Sequence, residues 1–400
     1  MAGQCPVHGN PVPFDEQYYF DPYTTYAKLH AAATTAHRLC DEMENPLWLV
    51  TKYEDVRDGL RDTRLARNPD YAGPDFGGDI LPADLLDACP LISDPPEYTR
   101  LRRFINFAFI PRRVAALVPR IQEVTDELLD VIAADGKADL MVALASALPI
   151  TIICDMLGVP QEQRADFRTA SDVMLMGTDE EAGAALEPLA GMLAQLITAR
   201  QEEPADDLIS HWIHWKHDDE PALNFAEVLS LSFFTLIAGF ETTAGTLGNA
   251  LAALLRHPEK IDELRANPDL YPEAVEELIR WDGSVQSGVR RFATEDFRIG
   301  DAEIKAGQVI TLSLGAAARD PLRFPDPDTI DFHRDNKQHL GFGLGPHVCP
   351  GMELGRVEVR TALRSLFERF PELRLAVPAD ELRWRHSNFI RVLRALPVIV

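Results

Sequence analysis

The sequence predicts a mainly α-helical protein with a smaller β-rich part, and three observations predict it. Apolar residues recur at helical spacing almost without interruption over residues 94–281. That region includes one segment, 224–256, of about 33 residues, on the order of 50 Å at 1.5 Å per residue. Strand-like pieces are short and flank the helical region at 37–51, 290–314 and 382–400. A loop rich in glycine, residues 339–351, then runs directly into a last helical stretch at 352–370.

Taken in order, the first 20 or so residues are polar and proline-rich. A helix begins at Pro22, where proline suits the first turn, and continues through Tyr26 and Leu29 to Ala33. Two strands at 37–41 and 47–51 read as a hairpin turning at Glu44, Asn45 and Pro46, followed by a short helix at 55–61. Residues 66–93, with Pro69, Gly73, Pro74, Gly77, Gly78 and Pro82, keep no period and read as a long loop of the kind that carries function. Helices follow at 94–136 with a break at Pro111, then at 139–157, 161–176 and 180–200, with Pro160 and the Gly177-Thr178 pair at the breaks. Past a polar link and one more helix, Asn224 and Glu227 form a capping-box pattern that opens the longest helix. Two helices at 258–266 and 272–281 give way to strands at 290–297 and 309–314. A turn-rich stretch at 320–337 delivers the chain to the glycine loop, and 382–400 reads as short strands around a turn at 386–388. No internal repeat is visible, and the expectation is one domain over 1–400.

Composition narrows the classes. With 39 basic against 63 acidic residues the formal charge is −24, which argues against general affinity for nucleic acid or anionic membrane. No apolar run is read as reaching the roughly 20 residues that span a bilayer, and residues 1–14 lack the regions of a signal peptide. A cytoplasmic monomer is the expectation. Five cysteines, Cys5, Cys40, Cys89, Cys154 and Cys349, are odd in number and widely spaced, so neither a disulfide framework nor a zinc site is expected.

One cysteine stands apart. Cys349 sits between the glycine loop and the helix after it, where unpaired amides and the helix dipole favour thiolate and are expected to lower its pKa from the free value of about 8.5. Gly351 leaves room for a bulky planar group. A thiolate so placed is a nucleophile or a metal ligand, whereas an isolated cysteine is more often a small buried hydrophobe.

Other runs are equally unusual. Ala238, Gly239, Phe240, Glu241, Thr242 and Thr243 put a glycine and two threonines in the middle of an apolar helix. Close packing against a neighbouring helix would explain them, with Glu241 reaching solvent or a basic partner. Alternatively, a threonine hydroxyl bonds the i−4 carbonyl and opens a polar notch in an apolar wall. Glu277 and Arg280 form an i, i+3 pair that alone means little. Residues 94–103 carry Asp94, Tyr98, Arg100, Arg102 and Arg103 on one helix, and Arg290 and Arg291 precede another acidic turn.

Together these runs resemble the cytochrome P450 family, in the family's order and over nearly the whole chain. Phe342, Gly345, Cys349 and Gly351 reproduce its F-x-x-G-x-x-x-C-x-G signature; residues 238–243 its A-G-x-[D/E]-T-[T/S] run; Glu277 and Arg280 its E-x-x-R; residues 94–102 its bacterial D-P-P-E-H-T-x-x-R helix. The resemblance implies the P450 fold, with haem b (iron protoporphyrin IX) between the long central helix and the cysteine-loop helix, and Cys349 as the axial ligand of the iron. It implies Glu241 and Thr242, beside Ala238 and Gly239, as the proton-delivery run. Haem edge contacts would come from Tyr98, Arg102, Arg291 and His347, with Phe342, Gly343 and Gly351 around the cysteine, although Arg290 leaves the register of Arg291 open. Arg334 would join Glu277 and Arg280 in a structural network. Tyr98 stands where the family has histidine, and Pro346 is unusual.

The implied activity is a soluble bacterial monooxygenase, of the kind used in secondary metabolism, inserting one atom of dioxygen into a medium or large, mainly apolar organic substrate. Hydroxylation and epoxidation are both open. Pocket walls would come from 66–93, 171–177, 236–240, 285–289 and 388–390, including Ile237, Val285, Val289 and Phe389. Electrons would come from an external ferredoxin and ferredoxin reductase, since no dinucleotide-binding glycine motif is present. Arg112, Arg113 and Arg360 are the expected steering charges for it. A peroxide-driven or isomerase-type haem-thiolate enzyme and a non-catalytic haem sensor are the alternatives.

Overall fold

The computed structural model describes residues 3–4, 11–12, 14–32, 34–41, 45–76, 89–176, 178–215, 222–335 and 337–400. Its axis is one helix, Phe225–Arg256, of 32 residues. The Asn224 side chain accepts from the Glu227 amide at 2.9 Å, and the Glu227 carboxylate accepts from the Asn224 amide at 2.8 Å, so two otherwise orphaned donors are satisfied at its start. Small residues on this helix let its neighbours close in: a methyl at Gly239 would lie 2.5 Å from Ile153 Cδ1, and one at Gly248 would lie 2.2 Å from Met141 Sδ. Those neighbours belong to a π-helical turn, Met141–Ser146, and the helix Ala147–Leu157. Helices Tyr271–Asp282 and Met352–Arg369 also pack against the central helix, and one apolar core runs through all of them.

The expected helix over 139–157 is instead a strand, Lys137–Asp139, then the π turn, then the helix. The reason lies far along the chain. Asp139 Oδ1 accepts from the Met141 amide at 3.0 Å and from the Leu396 amide at 2.8 Å, and Lys137–Asp139 pairs with the terminal strand Pro397–Ile399. Helix 94–136 divides as expected, into Glu97–Ala108 and Pro111–Asp135.

The main sheet has five strands in the order Ala36–Cys40, Pro46–Val50, Val309–Leu312, Arg291–Ala293, Leu65–Ala66. The first two form the expected hairpin, although residues 42–44 of its turn lie outside the described residues. Val309–Leu312 runs parallel to Pro46–Val50 and antiparallel to Arg291–Ala293. At the far edge Leu65 faces Ala293 and Ala66 faces Phe292, so the next step of that register brings Arg67 opposite Arg291. Arg290 points elsewhere, with its guanidinium 5.1 Å from the Phe76 ring centroid. The long loop read at 66–93 includes a short 3-10 turn, Pro69–Tyr71, and residues 77–88 of it lie outside the described residues, as does Gly177.

Hydropathy corrects one expectation. By length and composition the helices at Glu180–Glu202 and Phe225–Arg256 could each cross a membrane. The central helix passes that test because it is wrapped by other helices and so is apolar on most of its circumference.

Candidate active site

On the central helix a line of residues spaced by four, Phe234, Ala238, Thr242 and Thr246, keeps partial exposure. Ile237, Gly239 and Glu241 share that exposure. In a helix packed on most sides, such a stripe marks the face least covered by its neighbours. Thr242 Oγ1 donates to the Ala238 carbonyl at 2.8 Å, the i−4 contact expected from its sequence, and the helix remains continuous through it. Ser284 Oγ donates to the Thr242 carbonyl at 2.7 Å and lies 2.9 Å from Thr246 Oγ1, so a row of hydroxyl groups follows the stripe. Gly239 is accounted for by its closeness to Ile153, the packing explanation. Glu241 finds a basic partner: Arg385 Nη1 donates to its Oε1 at 2.9 Å. Burial raises the Glu241 pKa, and Arg385 pulls against it.

The cysteine loop needs two glycines with positive φ, Gly343 at 70° and Gly345 at 75°, a region closed to most side chains. The Cys349 amide donates to the Phe342 carbonyl at 2.8 Å, closing the loop, and Gly351 caps the helix Met352–Arg369. At Gly351 the closest group to an added methyl is the Phe109 ring, at 3.3 Å, so in this structure an aromatic side chain accounts for the space. The expected depression of the Cys349 pKa is not seen. Burial raises it, opposed by the Gly351 amide and by the charges of Arg102 and Arg356. The Phe342 ring lies beside His339, with centroids 5.8 Å apart, and under the Arg356 guanidinium at 4.7 Å.

Around the same loop the structure gathers Tyr98, Arg102, Arg291 and His347, and adds Arg67, which the sequence reading passed over as part of a loop. Tyr98 donates to the Pro346 carbonyl at 2.7 Å and lies against His347, with ring centroids 3.8 Å apart. Arg102 donates to the Val348 carbonyl at 2.6 Å, to the Tyr98 hydroxyl at 3.3 Å and to Asn106 Oδ1 at 2.8 Å. His347, expected as a donor in a cationic set, is neutral: burial and then Arg67, Arg291 and Arg102 bring its pKa down to about 2. Burial lowers Arg291 to about 10 and Arg67 to about 9, and Arg291 adds to the lowering of Arg67. Arg67 Nε and Arg291 Nη2 are buried without a hydrogen-bond partner. Two buried guanidiniums set side by side, each with an unused donor and with burial outweighing the charge of nearby Asp94, are costly unless an anion completes the site. A planar group carrying two carboxylates and a thiolate-seeking metal fits this set.

Outside the cluster, Arg280 donates to both oxygens of Glu277, and Arg334 Nε reaches Glu277 Oε1 at 3.4 Å, so the structure brings all three together. Glu276, one residue earlier, ties the loop to its helix by accepting from Arg356 at 2.6 and 3.0 Å and from His339 at 3.2 Å. Val285 and Val289 are half-buried, while Phe389 is 38% exposed, at the outer end of the set proposed for the pocket.

The sequence profile of the cytochrome P450 family matches residues 167–375. The chain is 39% identical to the cytochrome P450 monooxygenase PikC of Streptomyces venezuelae over 390 residues, which cover 96% of this chain and 92% of that one. The chain belongs to the cytochrome P450 family. It is also 36% identical to the 6-deoxyerythronolide B hydroxylase of Saccharopolyspora erythraea, over 96% of this chain and 97% of the other. Among solved structures, the cytochrome P450 PksS of the Bacillus subtilis bacillaene polyketide synthase superposes with a TM-score of 0.88 at 33% identity, covering 97% of this chain and 98% of its own. A P450 is a haem-thiolate monooxygenase, and the mainly helical fold with small sheets is the one these structures share.

Proposed function

We propose that this P450 inserts one atom of dioxygen into a medium or large, mainly apolar organic substrate, with electrons from a ferredoxin and its reductase. Bound haem supplies the activation of dioxygen, one atom going to the substrate and the other leaving as water. Cys349 would hold the iron, and Arg67, Arg102 and Arg291 the carboxylates, with neutral His347 packed beside Tyr98, whose one hydroxyl proton goes to the Pro346 carbonyl. The observation that carries the reading is the Thr242 hydroxyl bonded to the Ala238 carbonyl on the exposed stripe of a buried helix. That bond fixes the hydroxyl while leaving its lone pairs to hold a proton donor in place. Glu241, held in an ion pair and made a weaker acid by burial, is suited to pass protons on.

The apolar part of the stripe, Phe234 and Ile237, and the half-buried Val285 and Val289 support an apolar substrate. The relatives support a secondary metabolite: one by its name hydroxylates 6-deoxyerythronolide B, and another serves a polyketide synthase. For electron delivery, Arg102 is occupied by the cysteine loop and Arg356 by Glu276, which leaves exposed Arg112 and half-buried Arg113 and Arg360 as steering charges. The chain would act as a single-domain monomer.

The test is Thr242→Ala with substrate, ferredoxin and reductase. Reductant and oxygen consumption should continue, product per reductant should fall severalfold, and hydrogen peroxide should rise to match. An unchanged coupling ratio removes Thr242 from proton delivery and favours peroxide-driven chemistry.

A further inference from the structure

We propose that Arg385, on the C-terminal hairpin, is the positioning residue for Glu241: its guanidinium fixes where the carboxyl points and how readily that carboxyl carries a proton. The inference rests on the reading of Glu241 as the proton-delivery acid.

Geometry comes first. Arg385 Nη1 meets Glu241 Oε1 at 2.9 Å, and the two side chains are only 17% and 18% exposed. The hairpin that carries the arginine is fixed on several sides. The Arg385 amide donates to the Val392 carbonyl at 2.9 Å, and Trp384 pairs with Leu393 across the hairpin. Trp384 Nε1 donates to Asn249 Oδ1 at 3.1 Å, about two turns beyond Glu241 on the same central helix. The Arg391 amide donates to the Ser284 carbonyl at 2.7 Å, while its guanidinium reaches the Tyr19 and Phe20 carbonyls of the N-terminal helix Glu16–Phe20 at 2.8 and 3.2 Å. His386 stacks on Tyr19 with centroids 4.7 Å apart. Arg385 is therefore presented from a braced strand pair, unlike a free surface arginine whose side chain would lose its order in solvent.

Charge comes second. A carboxyl on the wall of an apolar helix would keep its proton, and burial does raise the Glu241 pKa, whereas Arg385 lowers it through its charge and its hydrogen bond. Most other ionisable side chains of the hairpin have partners of their own, and the exposed Arg394 exerts no charge effect on Glu241. Arg391 pairs with Asp282, His386 with Glu16, and Arg383 with the Asp380 and Leu382 carbonyls. Among the described residues Arg385 is thus the cation acting on Glu241. The same hairpin carries Phe389, so a substrate that touches Phe389 presses on the element that holds the acid.

The experiment uses haem-loaded protein, wild type against Arg385→Gln, Arg385→Lys and Glu241→Gln. Infrared difference spectra across a pH series follow the protonated-carboxyl stretch that disappears in Glu241→Gln. Removing the guanidinium should move the midpoint of that band up by about one pH unit or more in Arg385→Gln, because the neutral acid then survives to higher pH. Arg385→Lys, which keeps a charge, should shift it less in the same direction, and gives the answer if the glutamine variant does not load haem. The carbon monoxide spectrum should be unchanged in both. A midpoint that stays at the wild-type value in Arg385→Gln overturns the inference. If the midpoint moves but Glu241→Gln leaves the product yield per reductant untouched, the pair stands as described and the proton-delivery reading of Glu241 is what falls.

Discussion

Arg280 Nε and Nη2 each donate to a different oxygen of Glu277 at 2.8 Å, and neither side chain has any exposure to solvent. The remaining Arg280 donors go to the Ala318, Pro327 and Thr329 carbonyls, so one buried fork ties helix Tyr271–Asp282 to the turn-rich segment that leads to the cysteine loop. Glu277→Gln leaves that guanidinium buried without its counter-charge. The expected loss is about 3–5 kcal/mol of stability, read by denaturant unfolding and by reduced haem content. A loss below about 1 kcal/mol would mean that the carbonyls alone hold the arginine.

Glu276 gives a pH dependence with a definite sign. Burial raises its pKa, but His339 and Arg356 outweigh that and hold it down at about 2, against an ordinary value of 4.5. A carboxyl depressed on folding contributes stability above its unfolded pKa, and that contribution is lost as pH falls toward the folded value. Melting temperature should therefore drop between about pH 5 and pH 3 more steeply in wild type than in Glu276→Gln, with the two curves converging at the acid end. Parallel curves would remove Glu276 from the clamp.

Arg67 tests the haem-edge cluster independently of turnover. Arg67→Gln removes a buried cation whose Nε has no protein partner, so the folded apoprotein should lose only the Nη1 bond to the Leu91 carbonyl at 3.1 Å, a loss of about 1–3 kcal/mol. Haem, however, should dissociate at least about tenfold faster, the equivalent of one charged hydrogen bond of 1.5–3 kcal/mol, as measured by transfer to an apoglobin. Cys349→His is the companion variant: it should abolish the red-shifted Soret band of the reduced carbon monoxide complex, which Arg67→Gln should keep. Unchanged haem loss in Arg67→Gln would place that arginine outside the site.

Arg112 is exposed and Arg113 lies with its guanidinium 3.9 Å from the Phe107 ring centroid. On a chain of net charge −24, these cations would decide whether an acidic ferredoxin approaches. Arg112→Glu with Arg113→Glu should slow reduction by ferredoxin at low salt severalfold while leaving haem content alone. The difference should fade as the Debye length shortens from about 10 Å at 0.1 M. Equal rates with equal salt dependence, measured by stopped flow, would sink the steering role.

What could be read from the chain alone follows from local chemistry. Asn224 and Glu227 declare the start of the central helix because a capping box is satisfied within four residues, and Pro111 opens a new helix because its missing N–H suits the first turn. The Cys349 loop and the Thr242 contact to Ala238 are equally local, one requiring glycine at positive φ and the other an i−4 hydroxyl bond. Glu277 and Arg280 sit one turn apart, so their pairing was visible in outline.

Other features depend on partners hundreds of residues away. Arg67 and Arg291 come together only because the edge strand Leu65–Ala66 pairs with Arg291–Ala293 in a particular register, and Arg385 reaches Glu241 across 144 residues of sequence. Asp139 stays out of the expected helix because its strand pairs with Pro397–Ile399 and its carboxylate accepts from the Leu396 amide. The sign of the Cys349 and His347 shifts reverses or sharpens for the same reason: a helix end and a histidine predict a charge-friendly site, and only the packed fold decides how much water is removed and which cations stand beside them. Sequence by itself pointed to the family, the mainly helical fold and a set of candidate residues, since the capping pattern, the glycine loop and the i−4 contact rest on short-range geometry. Tertiary structure alone decided their protonation and their orientation, since both are set by desolvation and by long-range neighbours.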